Sequence, residues 1–72
     1  MELTVVFRKV PEGYIAWVEE LPGANTQGAT LAEAQENMLE AIQMTLEANH
    51  QLTGAPLPSE FTLKEKVSLA VA

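Results

Sequence analysis

From Thr30 to about Gln51 the chain carries one helical signal long enough to set the architecture. Leu31, Ala34, Met38, Ala41, Ile42, Thr45, Leu46 and Asn49 recur at helical spacing and draw a single apolar stripe. Thr30 is a good N-cap, and Glu33 three residues later completes a capping box. The Thr30 side chain is expected to accept from the amide of residue 33, and the Glu33 carboxylate to reach back to the amide of residue 30. Gly54 supplies a stop, and Pro56 and Pro58 bar continuation. A helix that is apolar on one side only needs a flat apolar surface to cover.

The flanking segments supply that surface. Leu3 to Val10 reads as a strand with Leu3, Val5 and Phe7 pointing inward and Thr4, Val6 and Arg8 on the other face. Pro11-Glu12-Gly13 is a turn, which makes a hairpin with a second strand from Tyr14 to Glu20. There Tyr14, Ala16 and Val18 alternate with Ile15, Trp17 and Glu19, so the strand is apolar on both sides. Leu21-Pro22-Gly23 turns the chain into a short third strand, Asn25 to Gly28, with Gly28 marking a bend or bulge. Ala55 to Glu60 is an extended connector, and Phe61 to Ala72 returns to strand character, with Val67, Leu69 and Val71 alternating against Lys66, Ser68 and Ala70. The expected fold is α+β, a two-layer β-β-β-α-β arrangement with one helix packed on one face of a small four-stranded sheet. Residues 1–72 form one domain.

A chain of 72 residues with no cysteine has neither a disulfide nor a zinc-thiolate site to reinforce its core. Its stability is expected to be marginal, which favours self-association or a partner, and a homo-oligomer is expected. Ten acidic residues, all glutamate, face four basic ones and leave a net charge of -6. That balance argues against direct nucleic-acid binding, which needs clustered Lys and Arg, and favours a basic partner. No apolar run approaches the roughly 18 to 20 residues of a membrane span, and Met1-Glu2-Leu3-Thr4 lacks the basic flank of a signal peptide. A soluble cytoplasmic protein with no membrane contact is the expectation.

The residues that carry chemistry elsewhere are sparse. His50 is the lone histidine and has no cysteine or second histidine to share a metal. It falls near the last helical turn, where a cation is mildly favoured by the dipole. Glu19 and Glu20 are neighbours, but adjacent strand residues point to opposite faces, and a two-metal nuclease needs several converging carboxylates. No serine or threonine has an identifiable base, and no phosphate loop of the GxxxxGK[ST] kind is present. The expectation is therefore no enzyme, with no catalytic, cofactor-binding or metal-ligating residue.

Two surfaces remain as candidates for binding. Glu33, Glu36, Glu40, Gln43 and Glu47 line the exposed side of the helix with no Lys or Arg on it. A solvated face that keeps the protein soluble accounts for this row, and so does an acidic surface that steers a basic partner. Ile15 and Trp17, with Val6 across the hairpin, would form an apolar patch on the sheet face away from the helix. If the strand parity is reversed, Trp17 is core. Lys64 and Lys66 read as guards of an edge strand against aggregation. The partner-binding candidates are thus Ile15, Trp17, Glu36, Glu40 and Glu47.

Tyr14-x-Ala16, Glu20-Leu21-Pro22-Gly23, Gln27-Gly28-x-Thr30-Leu31, Glu33-Ala34, Asn37 and Glu40-Ala41-Ile42 together resemble the N-terminal domain of the HicB-like antitoxin family, over about 30 residues. The resemblance implies a β-β-β-α-β fold, sometimes likened to a reduced RNase H fold, that neutralises a small basic toxin. Such a toxin is similar to double-stranded-RNA-binding domains and cleaves mRNA with a histidine of its own, so the resemblance gives His50 no catalytic role. Glu19 stands where the family often has Pro, and Ala29 where it often has an acidic residue. Many relatives add a C-terminal helix-turn-helix or ribbon-helix-helix segment, whereas this sequence closes on its fourth strand, so no direct operator contact is expected.

The resulting expectation is a non-catalytic antitoxin-like module that binds and occludes a small basic mRNA-cleaving toxin. A solitary homo-oligomeric domain of the same type, without a toxin, is the alternative. A degenerate RNase H-like nuclease is a third reading.

Overall fold

Pro11 and Glu12 leave just enough chain for a tight reversal, and Val10 pairs directly with Gly13 across them. The computed structural model describes residues 1–54 and 61–69. Its elements are β1 (Glu2–Val10), β2 (Gly13–Val18), β3 (Asn25–Gly28), α1 (Leu31–Thr53) and β4 (Thr62–Ser68). The β-β-β-α-β order and the α+β class expected from the sequence are observed.

The four strands form one sheet in the order β3-β2-β1-β4. β1 and β2 are antiparallel, as are β2 and β3, while β4 runs parallel to β1 with Leu3 beside Leu63 and Phe7 beside Val67. A parallel partner cannot be reached by a tight turn, so the helix serves as the crossover between β3 and β4. It lies on the sheet face that carries Leu3, Val5 and Phe7 of β1 and Ala16 and Val18 of β2. With Leu21, Ala24 and the helical residues Ala34, Met38 and Ile42, these make the buried core.

The start of the helix is fixed by contacts the residue types dictate. Thr30 has extended backbone angles, and its hydroxyl accepts from the Glu33 amide at 3.1 Å. The Glu33 carboxylate reaches one residue further back than a capping box requires. It accepts from the Ala29 amide at 3.4 Å, not from residue 30. Gly28 brings β3 hard against this first turn: a Cβ there would sit 2.6 Å from the Ala34 amide nitrogen, a distance real Cβ atoms do not adopt. The expected bend at Gly28 is thus a close approach of two backbones. Asn37, one turn later, donates from its side-chain amide to the Gln27 carbonyl at 2.9 Å and ties the helix to β3.

The helix runs two residues beyond its expected end, to Thr53. Gly54, left-handed at φ 72°, returns its amide to the His50 carbonyl at 2.9 Å. At about 1.5 Å per residue its 23 residues span roughly 34 Å. Ala34, Met38 and Ile42 are buried and Leu31, Ala41, Thr45 and Leu46 half-buried, but every helical residue from Glu47 to Thr53 is exposed. Asn49, expected on the apolar stripe, is therefore corrected to solvent: the stripe continues after the sheet beneath it has ended.

Two strands are shorter than expected. β2 stops at Val18: the Glu19 amide still donates to the Thr4 carbonyl of β1, but the chain then turns, and the Leu21 amide donates back to the Val18 carbonyl. β4 stops at Ser68, and Leu69 lies just past it. Residues 55–60, including Pro56 and Pro58, and residues 70–72, including Val71, lie outside the described residues. The apolar row of β4 reads as core but is not, since the helix sits over β1, β2 and β3 and leaves Leu63 and Val67 exposed.

Candidate interaction surfaces

The glutamates of the helix project from the side opposite its buried stripe. Glu33, Glu36, Glu40, Gln43 and Glu47 are all exposed. Glu33 is partly committed to the cap, and Gln51 donates its side-chain amide to the Glu47 carboxylate at 3.3 Å. No lysine or arginine lies on this helix, so the charge of Glu36 and Glu40 faces solvent without a basic neighbour one turn away.

Ile15 and Trp17 emerge on the other side of the molecule. Because Ala16 and Val18 point under the helix, the alternation of β2 turns Ile15 and Trp17 to the outer face of the sheet, where both are half-buried. Val6 pairs directly with Trp17 and shares that face. Trp17 is therefore not core. The five candidate residues fall on two layers: Glu36, Glu40 and Glu47 on the helix, Ile15 and Trp17 on the bare sheet face. No single flat contact covers both sets.

The sheet face also carries charges close to the apolar residues. The Arg8 guanidinium lies 5.5 Å from the centre of the Trp17 ring, within reach of a cation–π contact. Lys64 and Lys66 stand on the same face of the neighbouring β4, and the Lys66 ammonium is 3.4 Å from a Glu19 carboxylate oxygen. Three of the chain's four cations thus gather on the face opposite the helical glutamates. Parity would have found Arg8, since it shares a strand face with Val6, which pairs with Trp17.

Glu20 has a structural occupation. Its two carboxylate oxygens accept from the Thr4 amide and the Thr4 hydroxyl, each at 2.6 Å. The Thr4 hydroxyl, then the Thr4 amide, hold this carboxyl below its ordinary value of 4.5, and Lys66 adds a smaller effect. The side chain stands in for strand pairing just where β2 has ended. Glu19 turns instead toward Lys66, so these two neighbours do not converge.

A hollow of about 600 Å³ opens beside the hairpin turn and the first helical turns, with Glu12, Tyr14, Gln27, Glu33 and Asn37 among its lining. Glu33 and Asn37 there are already bonded to backbone. Among the described residues, no three side chains of the His, Cys, Asp and Glu types come together as a metal site would need, and no helix is long and apolar enough to cross a membrane. His50 sits in the last helical turn, as its place in the sequence implied.

Comparison with known proteins gives kinship without a described activity. The chain is similar to the UPF0150 protein ssl0738 of Synechocystis sp., at 40% identity over 60 residues that cover 82% of this chain and 83% of the relative. It is also similar to the UPF0150 protein ssr1765 of the same organism, at 36% identity over 72 residues covering 94% of this chain and 86% of the relative. No family model matches the chain, and no solved structure matches it significantly. With identity of this order along most of both lengths, the chain belongs to the UPF0150 family.

Proposed function

We propose that this UPF0150 protein is a HicB-like antitoxin-type module: a non-catalytic domain that holds a small basic ribonuclease through its acidic helix. The observation that carries the reading is the unneutralised row Glu36, Glu40 and Glu47 on a helix with no lysine or arginine. Like charges one turn apart weaken a helix by about 0.2–0.5 kcal/mol per pair, a cost that a cationic partner would reverse. The arrangement of the opposite face narrows the reading. Arg8 and Lys64, with Lys66 held by Glu19, make the bare sheet face less acidic than the helix, so the helix layer is the proposed seat of the basic partner, and Ile15 and Trp17 form a separate anchor.

The test is capture of partners from native lysate on the tagged protein, with identification by mass spectrometry. A short Lys-rich, His-containing protein encoded beside this gene is the expected capture, and it should cleave RNA when freed. Recovery of no basic protein, or RNA cleavage by the isolated domain itself with magnesium that is lost in Glu20→Gln, would overturn the reading in favour of a solitary domain or a nuclease.

A further inference from the structure

β4 is an edge strand whose two exposed features coincide. The sheet order leaves it paired on one side only, to β1, and among the described residues nothing pairs with its other side. The Thr62 amide donates to the Met1 carbonyl at 2.9 Å, so the main-chain groups of the even-numbered residues face β1. Those of Leu63, Glu65 and Val67 consequently face the open edge. On the helix side of the same strand, Leu63 is 38% exposed, Val67 44% and the following Leu69 71%. Gln35 bonds the Glu65 carboxylate at 2.9 Å, which shows which flank of the helix looks toward β4. Leu39, one turn on from Gln35 and 46% exposed, belongs to that flank.

We infer that a second copy of this chain pairs with β4 antiparallel across a two-fold axis, joining the two sheets into one of eight strands. Such an axis places both helices on the same side of the joined sheet, with Leu39, Leu63, Val67 and Leu69 of each copy in the trough between them. One addition thus satisfies the open main-chain groups and covers the apolar row of the same strand. Charge selects the register. Centring the pair on Glu65 sets Glu65 against itself and Lys64 against Lys66, and centring it on Lys66 sets Lys66 against itself. Centring it on Val67 opposes Val67 to Val67, Lys66 to Ser68 and Leu69 to Glu65, with no like charges opposed and with Leu63 and Val67 of the other copy as the diagonal neighbours of Leu69. The outer faces of the helices, with Glu36, Glu40 and Glu47, stay open, so this interface does not depend on any basic partner.

The experiment is the solution mass of the full chain by light scattering or sedimentation. Twice the 7.8 kDa of one chain is expected for the wild type. Val67→Pro removes an amide that faces the open edge and spares the β1 ladder, so it should give a folded monomer with at least a tenfold weaker self-association. Leu39→Glu, an exposed helix position that needs no change in the sheet, should do the same if Val67→Pro fails to fold. Trp17→Ala should leave the dimer intact. A monomeric wild type, or a dimer indifferent to Leu39→Glu but lost in Trp17→Ala, would overturn the inference.

Discussion

The two faces of the sheet are built by alternate residues of the same strands, yet they meet different fates. Leu3, Val5 and Phe7 of β1 and Ala16 and Val18 of β2 lie sealed beneath the helix. Val6, Arg8, Ile15 and Trp17 alternate with them and have no layer over them. The covered residues of β1 and β2 are all uncharged, whereas the bare face sets the Arg8 guanidinium over the Trp17 indole and carries Lys64 and Lys66 on β4. The difference teaches that apolar content alone does not mark a core strand face. What separates the two faces is whether the helix lies over them.

The largest effect should come from breaking the covered face. Phe7→Ala removes a fully buried ring and should cost about 3–5 kcal/mol, read as the fall in urea midpoint, which is enough to unfold a domain this small. Gly28→Ala attacks the same face by lifting the helix from β3, since the new Cβ meets backbone with no freedom to yield. Overpacking of this kind should cost about 1–3 kcal/mol by the same measurement. Trp17→Ala sharpens the contrast from the bare side: a loss of about 1 kcal/mol or less is expected, with the circular dichroism of the fold intact. A loss as large as that of Phe7→Ala would mean the two faces do not differ as described.

The smallest effect concerns the end of the bare face, where Glu20 holds Thr4. Because the folded protein keeps this carboxyl below 4.5, its contribution is fully present above that pH and is lost as the pH falls through the lowered value. Thermal midpoints measured from pH 6 to pH 3 should therefore fall on acidification, and Glu20→Gln should flatten part of that fall.

Much of this was legible in the residues. The helix with its Thr30 cap and Gly54 stop, the hairpin at Pro11-Glu12 and the inward parity of β1 and β2 all follow from local patterns whose physics is complete within a few residues. What was not legible depends on how far one element extends over another. Asn49 continues the helical stripe, and Val67 and Leu69 alternate like core residues, but no local rule says that the sheet ends before Asn49 or that the helix stops short of β4. The motif residues carry a related lesson. Glu20, Gln27, Gly28, Thr30, Glu33, Ala34 and Asn37 are occupied with caps, a backbone approach and ties between layers. They specify the scaffold, while the residues proposed to meet a partner, Glu36, Glu47, Ile15 and Trp17, lie outside the motif, and of that set Glu40 alone belongs to it.

The most direct measurement is a calorimetric titration of the small basic protein captured from native lysate into wild type and into the combined variant Glu36→Gln, Glu40→Gln and Glu47→Gln. At about 0.5 kcal/mol for each exposed charge pair, the variant should bind about tenfold more weakly, with a shallower dependence on salt. Equal affinity for the two proteins would contradict the account and remove the acidic helix from the interface.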